Sequence, residues 1–334
     1  MRQFNLESIP RIPLCLLPTP IVPLKRLSLH LGGAKIFMKR DDLTGVAFGG
    51  NKNRKLEFLL ADAKKKGADV IVTEGALQSN HCLQTAACSA KLGLKCELVL
   101  SGDDPDFITG NLLLNQILDV KIHRAKDSVK RKEIMLKVEE ELRTKGKKPY
   151  MIPTGGSTSI GALGYLNCIS EIAKQSKEIG VTFSHLIHST GSGGTQSGVI
   201  IGRELYYPEL EILGVNVGEP KEELTKIIKW IIKNFNDDWE LELMIEDEMI
   251  KILEGYFGEG YGIPNQEMIN TVKLVAKMEG VFLDPVYTGK AMVGLIDLIE
   301  SKVIPKGNNV LFLHSGGGPS IFNCDDVFIK IREV

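Results

Sequence analysis

The chain has 334 residues, 43% of them apolar, which is enough to bury a large core and to form two domains. Its 41 Lys and Arg residues nearly balance 42 Asp and Glu residues, so the formal charge of -1 predicts no surface for nucleic acid or an anionic membrane. No apolar run approaches the ~20 residues of a membrane span, and the N-terminus has no recognisable secretory leader. We therefore expect a cytoplasmic protein.

The cysteines are scattered, and none forms a Cys-x-x-Cys pair. His81 lies close to two of them, but this spacing matches no structural zinc site, so we predict no metal site. We expect reduced and mostly buried thiols at all six positions: Cys15, Cys82, Cys88, Cys96, Cys168 and Cys324.

Proline-rich residues 1–30 are expected to run over the surface. Beyond them, apolar segments typical of buried strands alternate with segments that have a helical pattern. This alternation predicts an α/β protein with mainly parallel, twisted sheets that helices cover on both faces. The acidic stretch 237–260 is interpreted as a helix pair. Strands are predicted near 34–43, 68–75, 95–102, 120–125 and 210–218, and helices near 52–66, 79–93, 109–118, 128–146, 266–279 and 288–302, with a further helix from about 220. A strand, a glycine loop and a helix are predicted in succession within 184–205, and a last apolar strand within 309–323.

In parallel sheets, ligands bind beyond the carboxyl ends of the strands, so the loops at those ends are the places to look for function. Four of these loops have unusual compositions: 49–52, 75–81, 189–198 and 314–319.

The loop "STGSGGTQSG" (189–198) separates a predicted strand from a predicted helix. Its small residues allow backbone N–H groups to approach an anion at a helix start, which predicts a phosphate site on residues 191–195. An ordinary tight turn is the simpler alternative. Gln196 stands where a dinucleotide fingerprint needs its third glycine, which weakens a nicotinamide interpretation without excluding it.

Lys52 follows a glycine pair at the predicted start of a helix, where the helix dipole disfavours a cation. Arg54 and Lys55 are further cations nearby, and they are expected to favour the neutral, nucleophilic amine. By itself Lys52 would be interpreted as a solvated lysine. A nucleophilic lysine together with a phosphate loop, however, meets the requirements of pyridoxal phosphate.

The remaining loops carry hydroxyl, amide, imidazole and phenol groups. Ser79 is a natural helix N-cap in "EGALQSNHCLQ" (74–84), where backbone N–H groups can bind a substrate carboxylate. Ser315, in "HSGGGPS" (314–320), can hydrogen-bond a ring nitrogen. His81 and His314 are candidate catalytic residues, although such histidines more often shape their loops. Tyr261 and Tyr287 stand on glycine-rich or proline-containing loops, where aromatic residues more often serve as lids or packing.

Together these motifs resemble the fold type II pyridoxal-phosphate enzymes (tryptophan synthase β-like), and in particular the family of 1-aminocyclopropane-1-carboxylate deaminase and D-cysteine desulfhydrase. The resemblance covers nearly the whole chain. It is carried by "LPTPIVPLKRLS", "MKRDDLTGVAFGGNKNRKLEFLLADA", "GALQSNHCLQTAA", "STGSGGTQSG", "GYGIPN", "LDPVYTGKAM" and "LFLHSGGGPS".

The resemblance implies roles at the matching positions. Lys52 would bind the cofactor aldehyde covalently and return the proton, and Ser79, Tyr261 and Tyr287 would take part in catalysis. The implied cofactor ligands are Lys52, Asn80, Gly191, Ser192, Gly193, Gly194, Thr195 and Ser315. The implied substrate contacts are Gln78, Ser79, Asn80, His81 and Thr288.

Two positions separate the activities within this family. Thr288 and Ser315 stand where the deaminases have glutamate and leucine, as they do in the desulfhydrases. The resemblance thus implies elimination from D-cysteine, or from a related D-amino acid, to give pyruvate, ammonia and sulfide. The deaminase, another lyase or racemase of this fold type, a nicotinamide dehydrogenase and a non-enzymatic binding protein are the alternatives.

The resemblance also implies a domain division and an assembly. Residues 1–49 and 166–334 would form a large cofactor-binding domain, and residues 50–165 a small domain that carries the lysine and the substrate-carboxylate loop. The partners would be a small amino-acid substrate and a second copy of the chain in a homodimer.

Overall fold

The computed structural model describes residues 4–328, in which strands alternate with helices. This alternation confirms the predicted α/β class. The strands are β1 (Ile21–Pro23), β2 (Lys35–Lys39), β3 (Val70–Ala76), β4 (Lys95–Ser101), β5 (Lys121–Ala125), β6 (Pro149–Ile152), β7 (His185–Thr190), β8 (Glu211–Asn216), β9 (Lys251–Leu253) and β10 (Asn309–Leu313). The helices are α1 (Lys25–Leu31), α2 (Asn51–Lys65), α3 (Asn80–Lys91), α4 (Gly110–Ile117), α5 (Ser128–Thr144), α6 (Ser159–Ile179), α7 (Gly194–Tyr206), α8 (Lys221–Trp239), α9 (Gln266–Glu279), α10 (Thr288–Glu300) and α11 (Asp325–Phe328).

Across the described range the strands form two sheets. The six-stranded sheet has the order β1-β2-β10-β7-β8-β9, and the four-stranded sheet has the order β5-β4-β3-β6. Strand β1 is antiparallel to β2, while the other paired strands are parallel. The carboxyl ends of parallel strands meet at one edge of each sheet, and this edge is where the expected functional loops begin.

Strand β10 shows how the larger sheet is buried. Leu311 and Leu313 face a core that α6, α7 and α8 cover, whereas Val310 and Phe312 face a core that α1, α9 and α10 cover. Apolar side chains point to both faces because successive residues of a strand alternate sides. The predicted double covering is therefore confirmed.

Helix α2 connects the two halves of the fold, because it packs against both α3 and α6. Its Arg54 is fully buried and donates to both carboxylate oxygens of Asp41, at 2.7 and 2.8 Å. Glu171 of α6 accepts two further bonds from the same guanidinium, both at 3.0 Å. Paired buried charges of this kind resist displacement, so they hold the first turn of α2 in place.

Helix α6 and strand β6 are elements that the sequence patterns did not predict. Glycines at positions 161 and 164 weaken the helical signal of α6. At Gly164 an added Cβ would lie 2.6 Å from the backbone of Arg54, so this glycine allows two helices to pack closely. The expected domain boundary at residues 165 and 166 falls inside α6.

The helix pair expected within residues 237–260 is wrong. Helix α8 ends at Trp239, and the chain continues through residues 240–246 without regular structure to a 3-10 turn at Asp247–Met249 and then β9. Asn236 explains the change of direction, because its side chain bonds both the N–H and the C=O of Leu243. These bonds tie an extended segment to the end of the helix.

The N-terminal segment follows the surface only in part. Leu14, Leu24 and Leu27 are buried in the cores, although many of their neighbours are exposed. Between residues 4 and 328, no helix is both long enough and apolar enough to cross a membrane.

Candidate functional site

A cavity of about 350 Å³ lies between the carboxyl edges of the two sheets. Its volume is within the range of about 300–1,000 Å³ that is usual for small-molecule sites. All four loops selected from the sequence contribute to its wall. The predicted site residues that line it are Lys52, Ser79, Asn80, His81, Gly191, Ser192, Gly193, Thr195, Tyr261, Tyr287 and Ser315.

Three of the site residues that the resemblance implied do not line this cavity: Gln78, Thr288 and Gly194. The Gln78 amide is bonded to helix α4, because its Oε1 accepts the N–H of Asn111 at 2.8 Å. Thr288 is fully buried, and its hydroxyl donates to Asp284 at 2.7 Å. The side chains of Gln78 and Thr288 therefore support the wall rather than face the cavity.

Lys52 is the second residue of α2 and is half-buried, with its Nζ 3.1 Å from the Oδ1 of Asn51. Burial lowers the pKa of this amine to about 8, and the charge of Asp284 opposes that shift. The direction of this pKa shift agrees with the expectation from sequence. Its main cause, however, is burial and not the neighbouring cations. Arg54 has little influence here because buried carboxylates pair with it.

The glycine loop needs its glycines for two geometric reasons. Gly193 has φ +77°, a left-handed conformation that side chains disfavour. At Gly194 a Cβ would lie 2.8 Å from the Cα of Ser157 and 2.9 Å from the Nζ of Lys55. The first turn of α7 therefore presents backbone N–H groups and the positive end of the helix dipole to the cavity, which suits an anion.

Two residues near Lys52 bond α2 to other parts of the cavity wall, and sequence reasoning missed both roles. Asn51 donates from Nδ2 to the Oγ1 of Thr195 at 3.1 Å. Lys55 is buried and donates to the Gly155 carbonyl at 3.0 Å, and burial, together with the charge of Lys52, holds its pKa well below its usual value. Residues three apart share a helix face, and this spacing could have indicated Lys55.

Helix α3 contributes Ser79 and Asn80 from its start. The Ser79 hydroxyl oxygen accepts the N–H of Cys82 at 3.2 Å, which confirms the predicted N-cap. The Oδ1 of Asn80 accepts a bond from the Nδ2 of Asn111 at 2.7 Å, so its orientation is fixed. Both groups thus enter the cavity from a rigid element.

The two candidate histidines are buried and hydrogen-bonded. His81 bonds the hydroxyl of Thr73 at 2.8 Å, and burial followed by the charge of Lys52 holds its pKa well below the usual value. His314 accepts the Gly316 N–H at Nδ1 and bonds the Phe282 carbonyl from Nε2. Burial also lowers the pKa of His314. His81 lines the cavity, whereas His314 shapes the loop behind it.

Tyr261 and Tyr287 stand together in the cavity wall. Their hydroxyls form a hydrogen bond, and their ring centroids lie 6.0 Å apart with an interplanar angle of 70°. Burial raises the pKa of both phenols, so both remain protonated near neutral pH.

Asp284 holds Tyr287 in place, and sequence reasoning did not select it. This buried carboxylate accepts backbone N–H groups from Val286 and Tyr287 at 2.9 Å and from Thr288 at 2.7 Å. An aspartate that starts a proline-containing turn is the signal that could have indicated it.

Known proteins resemble this chain over nearly its whole length. The sequence profile of the family described as "Pyridoxal-phosphate dependent enzyme" matches residues 12–316. The D-cysteine desulfhydrase of Klebsiella pneumoniae (strain 342) is 43% identical over 324 residues, which are 95% of this chain and 97% of that protein. The crystal structure of an ACC deaminase homologue matches with a TM-score of 0.89 and 38% identity, covering 97% of this chain and 96% of the other.

A more distant structure shows how widely the fold is used. The processed form of threonine deaminase isoform 2 from Solanum lycopersicum matches with a TM-score of 0.66 at 18% identity, covering 94% of this chain and 81% of that one, which is a likeness of fold alone. The family profile and the desulfhydrase relative both extend over nearly the whole chain. The chain is therefore a pyridoxal-phosphate-dependent enzyme of fold type II, in the family that contains this desulfhydrase and the deaminase homologue.

Proposed function

We propose that the protein eliminates sulfide from D-cysteine, or from a close D-amino acid with a leaving group at Cβ, and forms pyruvate and ammonia. The Klebsiella relative named D-cysteine desulfhydrase supports this proposal. The observation that carries it is the half-buried Lys52 amine, whose pKa is about 8, in one cavity with Ser79 and the tyrosine pair.

The residues present fit pyridoxal phosphate. The N–H groups of residues 191–195 would hold its phosphate, with Asn51 bonding Thr195 and the Lys55 amine lying close to Gly194. Asn80 would bond the ring hydroxyl oxygen, Ser315 would bond the ring nitrogen, and Lys52 would hold the aldehyde. When bound, the cofactor supplies an electron sink that acidifies the α-hydrogen of an amino acid.

Lys52 is the group that moves the α-proton in this proposal. With a pKa of about 8, a substantial fraction of the Nζ is neutral near physiological pH and can accept a proton. Ser79 can assist, because its hydroxyl remains in the cavity while its oxygen caps α3. The N–H groups at the start of α3 would orient the substrate carboxylate.

The tyrosine pair would donate hydrogen bonds to the leaving group. Protonated phenols can donate a hydrogen bond to sulfur as negative charge develops there. The bond between Tyr261 and Tyr287 orients both hydroxyls, and the backbone bonds to Asp284 hold the second tyrosine.

Ser315 favours the desulfhydrase over the deaminase. Its hydroxyl lies in the cavity, 3.4 Å from the Ser189 hydroxyl, and would give the ring nitrogen a neutral partner. A neutral partner provides a milder electron sink, which is sufficient for a substrate that has an α-hydrogen and a thiolate leaving group. Thr288 likewise adds no carboxylate at the position that is glutamate in the deaminases.

The experiment is a sulfide and pyruvate assay of the purified holoenzyme with D-cysteine and with L-cysteine. We expect product from the D-enantiomer. Lys52→Ala should abolish both turnover and the visible absorbance of the bound cofactor, while Lys65→Ala, at the other end of α2, should preserve both. Consumption of 1-aminocyclopropane-1-carboxylate without sulfide release from D-cysteine would overturn the assignment.

The deaminase is the second candidate, because the deaminase homologue is 38% identical over nearly the whole chain. The same protein preparation, assayed for loss of the cyclopropane amino acid, distinguishes the two activities.

We further propose that residues 1–49 with 166–334, and residues 50–165, form two domains around the cofactor. The separate sheets and the cavity between them support this division.

A cytoplasmic location and a homodimer complete the proposal. No disulfide joins the six cysteines in the described part of the chain, which supports the location, and burial raises the pKa of Cys82 and of Cys88 to about 12. Sedimentation equilibrium measures the assembly, and a monomer at all concentrations would refute the dimer.

A further inference from the structure

One wall of the cavity carries an arginine that the proposed reaction does not use. Arg131 lies in the first turn of α5 and lines the cavity, with its side chain 13% exposed. Its Nε donates to Glu74 at 3.0 Å, and its Nη1 donates to Ser101 at 3.0 Å. A guanidinium has five N–H donors, and no other residue between 4 and 328 accepts a hydrogen bond from it. Its remaining donors are therefore available to a ligand.

The arginine is held rigidly from behind. Glu74 is buried at the end of β3, and its second oxygen accepts the hydroxyl of Thr154 at 2.9 Å. Ser101 is buried at the end of β4. Three neighbouring parts of the smaller sheet thus fix the guanidinium at the cavity wall, as a preorganised binding residue requires.

Glu219 stands on the rim of the same cavity, just after β8 of the larger sheet. Its carboxylate has no hydrogen bond or ion pair with any residue in the described part of the chain. Partial burial raises the pKa of Glu219, and the positive charge of Arg131 opposes this shift. The two side chains therefore influence each other electrostatically without forming an ion pair.

We propose that Arg131 and Glu219 form a subsite for a second amino-acid head group. The substrate would carry this head group on its sulfur substituent, which is the part that leaves from Cβ. A carboxylate would bind the unused N–H donors of Arg131, where charge-assisted bonds are strong. An ammonium group would bind Glu219. The ligand class is a thioether of D-cysteine whose substituent ends in an α-amino acid. This inference rests on the proposed elimination.

The charges favour such a zwitterion over a simple anion. Glu74 already balances the charge of Arg131, so Glu219 is left as an excess negative charge at the rim. A ligand with a carboxylate alone would meet this charge without compensating it. A head group with both charges satisfies both side chains.

The reaction balances with D-lanthionine, in which two D-cysteine skeletons share one sulfur. The Cβ–S bond breaks, and the sulfur keeps the electron pair and takes a proton, so D-cysteine leaves. The other half loses its α-proton and is hydrolysed by one water to pyruvate and ammonia. No oxidant or reductant is consumed.

The test compares the holoenzyme with its Arg131→Gln and Glu219→Gln variants on D-lanthionine, S-carboxymethyl-D-cysteine, S-methyl-D-cysteine and D-cysteine. Arg131→Gln should lower kcat/KM for the two carboxylate-bearing thioethers about 10- to 100-fold, mainly through KM, because it removes charged hydrogen bonds. Glu219→Gln should weaken D-lanthionine alone. Arg143→Gln is the matched control, since Arg143 is on the same helix and pairs with Glu139 at the surface.

Four outcomes decide the proposal. Selective losses in KM support it, whereas equal losses on D-cysteine and D-lanthionine would show that Arg131 only frames the cavity. Weaker retention of the cofactor by Arg131→Gln would assign the arginine to the phosphate and overturn the subsite. If no D-cysteine derivative reacts, the proposed elimination fails, and binding measured by calorimetry tests the subsite separately. D-Lanthionine must then bind more tightly than S-methyl-D-cysteine, and Arg131→Gln must abolish this difference in affinity.

Discussion

Replacing Asp284 with asparagine tests how the site sets the proton affinity of Lys52. The carboxylate lies behind the cavity wall and accepts two bonds on each oxygen: from Val286 and Tyr287 on one, and from the N–H and the hydroxyl of Thr288 on the other. Its negative charge also opposes the burial that lowers the pKa of Lys52 to about 8. The substitution keeps the shape and removes the charge.

The structural cost follows from the hydrogen bonds. The side-chain nitrogen of asparagine cannot accept a hydrogen bond, so it is best placed facing Thr288. The Thr288 hydroxyl can accept a bond from this nitrogen, but the Thr288 backbone N–H loses its acceptor. One buried N–H without a partner costs about 1–3 kcal/mol. We therefore expect Asp284→Asn to lower the free energy of unfolding by about 1–3 kcal/mol, measured by urea denaturation.

The electrostatic effect has a definite sign. Lys52 is protonated below its pKa and neutral above it, and only the neutral amine reacts with an aldehyde. The assay is the rate at which apo-protein binds pyridoxal phosphate covalently, followed by visible absorbance as a function of pH. The unmodified protein should show a midpoint near pH 8, and Asp284→Asn should shift it to lower pH because the stabilising charge is gone.

Thr288→Val is the matched control for this measurement. It removes the hydroxyl that donates to the Asp284 carboxylate and accepts the Asp284 N–H but keeps the charge, so it should lower stability by about 1–3 kcal/mol without moving the pH midpoint. A midpoint for Asp284→Asn that stays near pH 8 or rises would refute the reasoning.

Three further variants test the phosphate loop, the buried ion pairs and the tyrosine pair. Gly194→Ala would place a methyl group 2.8 Å from the Cα of Ser157, so fluorescence titration should show cofactor affinity reduced about tenfold or more. Arg54→Met leaves the buried Asp41 without its ion-pair partner and removes one of the two cations that pair with Glu171, so it should lower the free energy of unfolding by about 3–5 kcal/mol in denaturant titrations. Tyr261→Phe removes the hydroxyl bond to Tyr287 and should lower kcat roughly 10- to 100-fold with little change in KM.

The first two of these variants have matched controls. Gly318→Ala should bind the cofactor normally, because an added Cβ there meets no atom within 4 Å. Lys130→Met removes an exposed ion pair with Glu133 and should change stability by less than about 1 kcal/mol. Equal effects in a variant and its control would contradict the corresponding explanation.

Local chemistry made much of the site predictable. The glycine loop, the lysine at a helix start and the Ser79 cap depend on residue types at short spacings, and the structure places all three around one cavity. The alternation of strands and helices likewise follows from local patterns. Helix α6 was missed because Gly164, which weakens its helical pattern, serves a contact with α2, more than 100 residues earlier in the chain, which no local pattern records.

The directions of the side chains required the folded chain. Gln78 and Thr288 belong to the right loops, yet hydrogen bonds to Asn111 and Asp284 turn their side chains away from the cavity. Lys55 could be interpreted only as one more cation until its burial beside the glycine loop was known.

The sequence by itself determined the fold class, the cofactor and the loops that line the cavity, because these follow from apolar periodicity and from residue types at short spacings. The tertiary structure alone decided how strongly Lys52 holds its proton and which charges face each other across the cavity. Burial sets that proton affinity, and Arg131 meets Glu219 only where the two sheets come together. Both effects depend on distances between residues far apart in the chain, which a linear pattern does not contain.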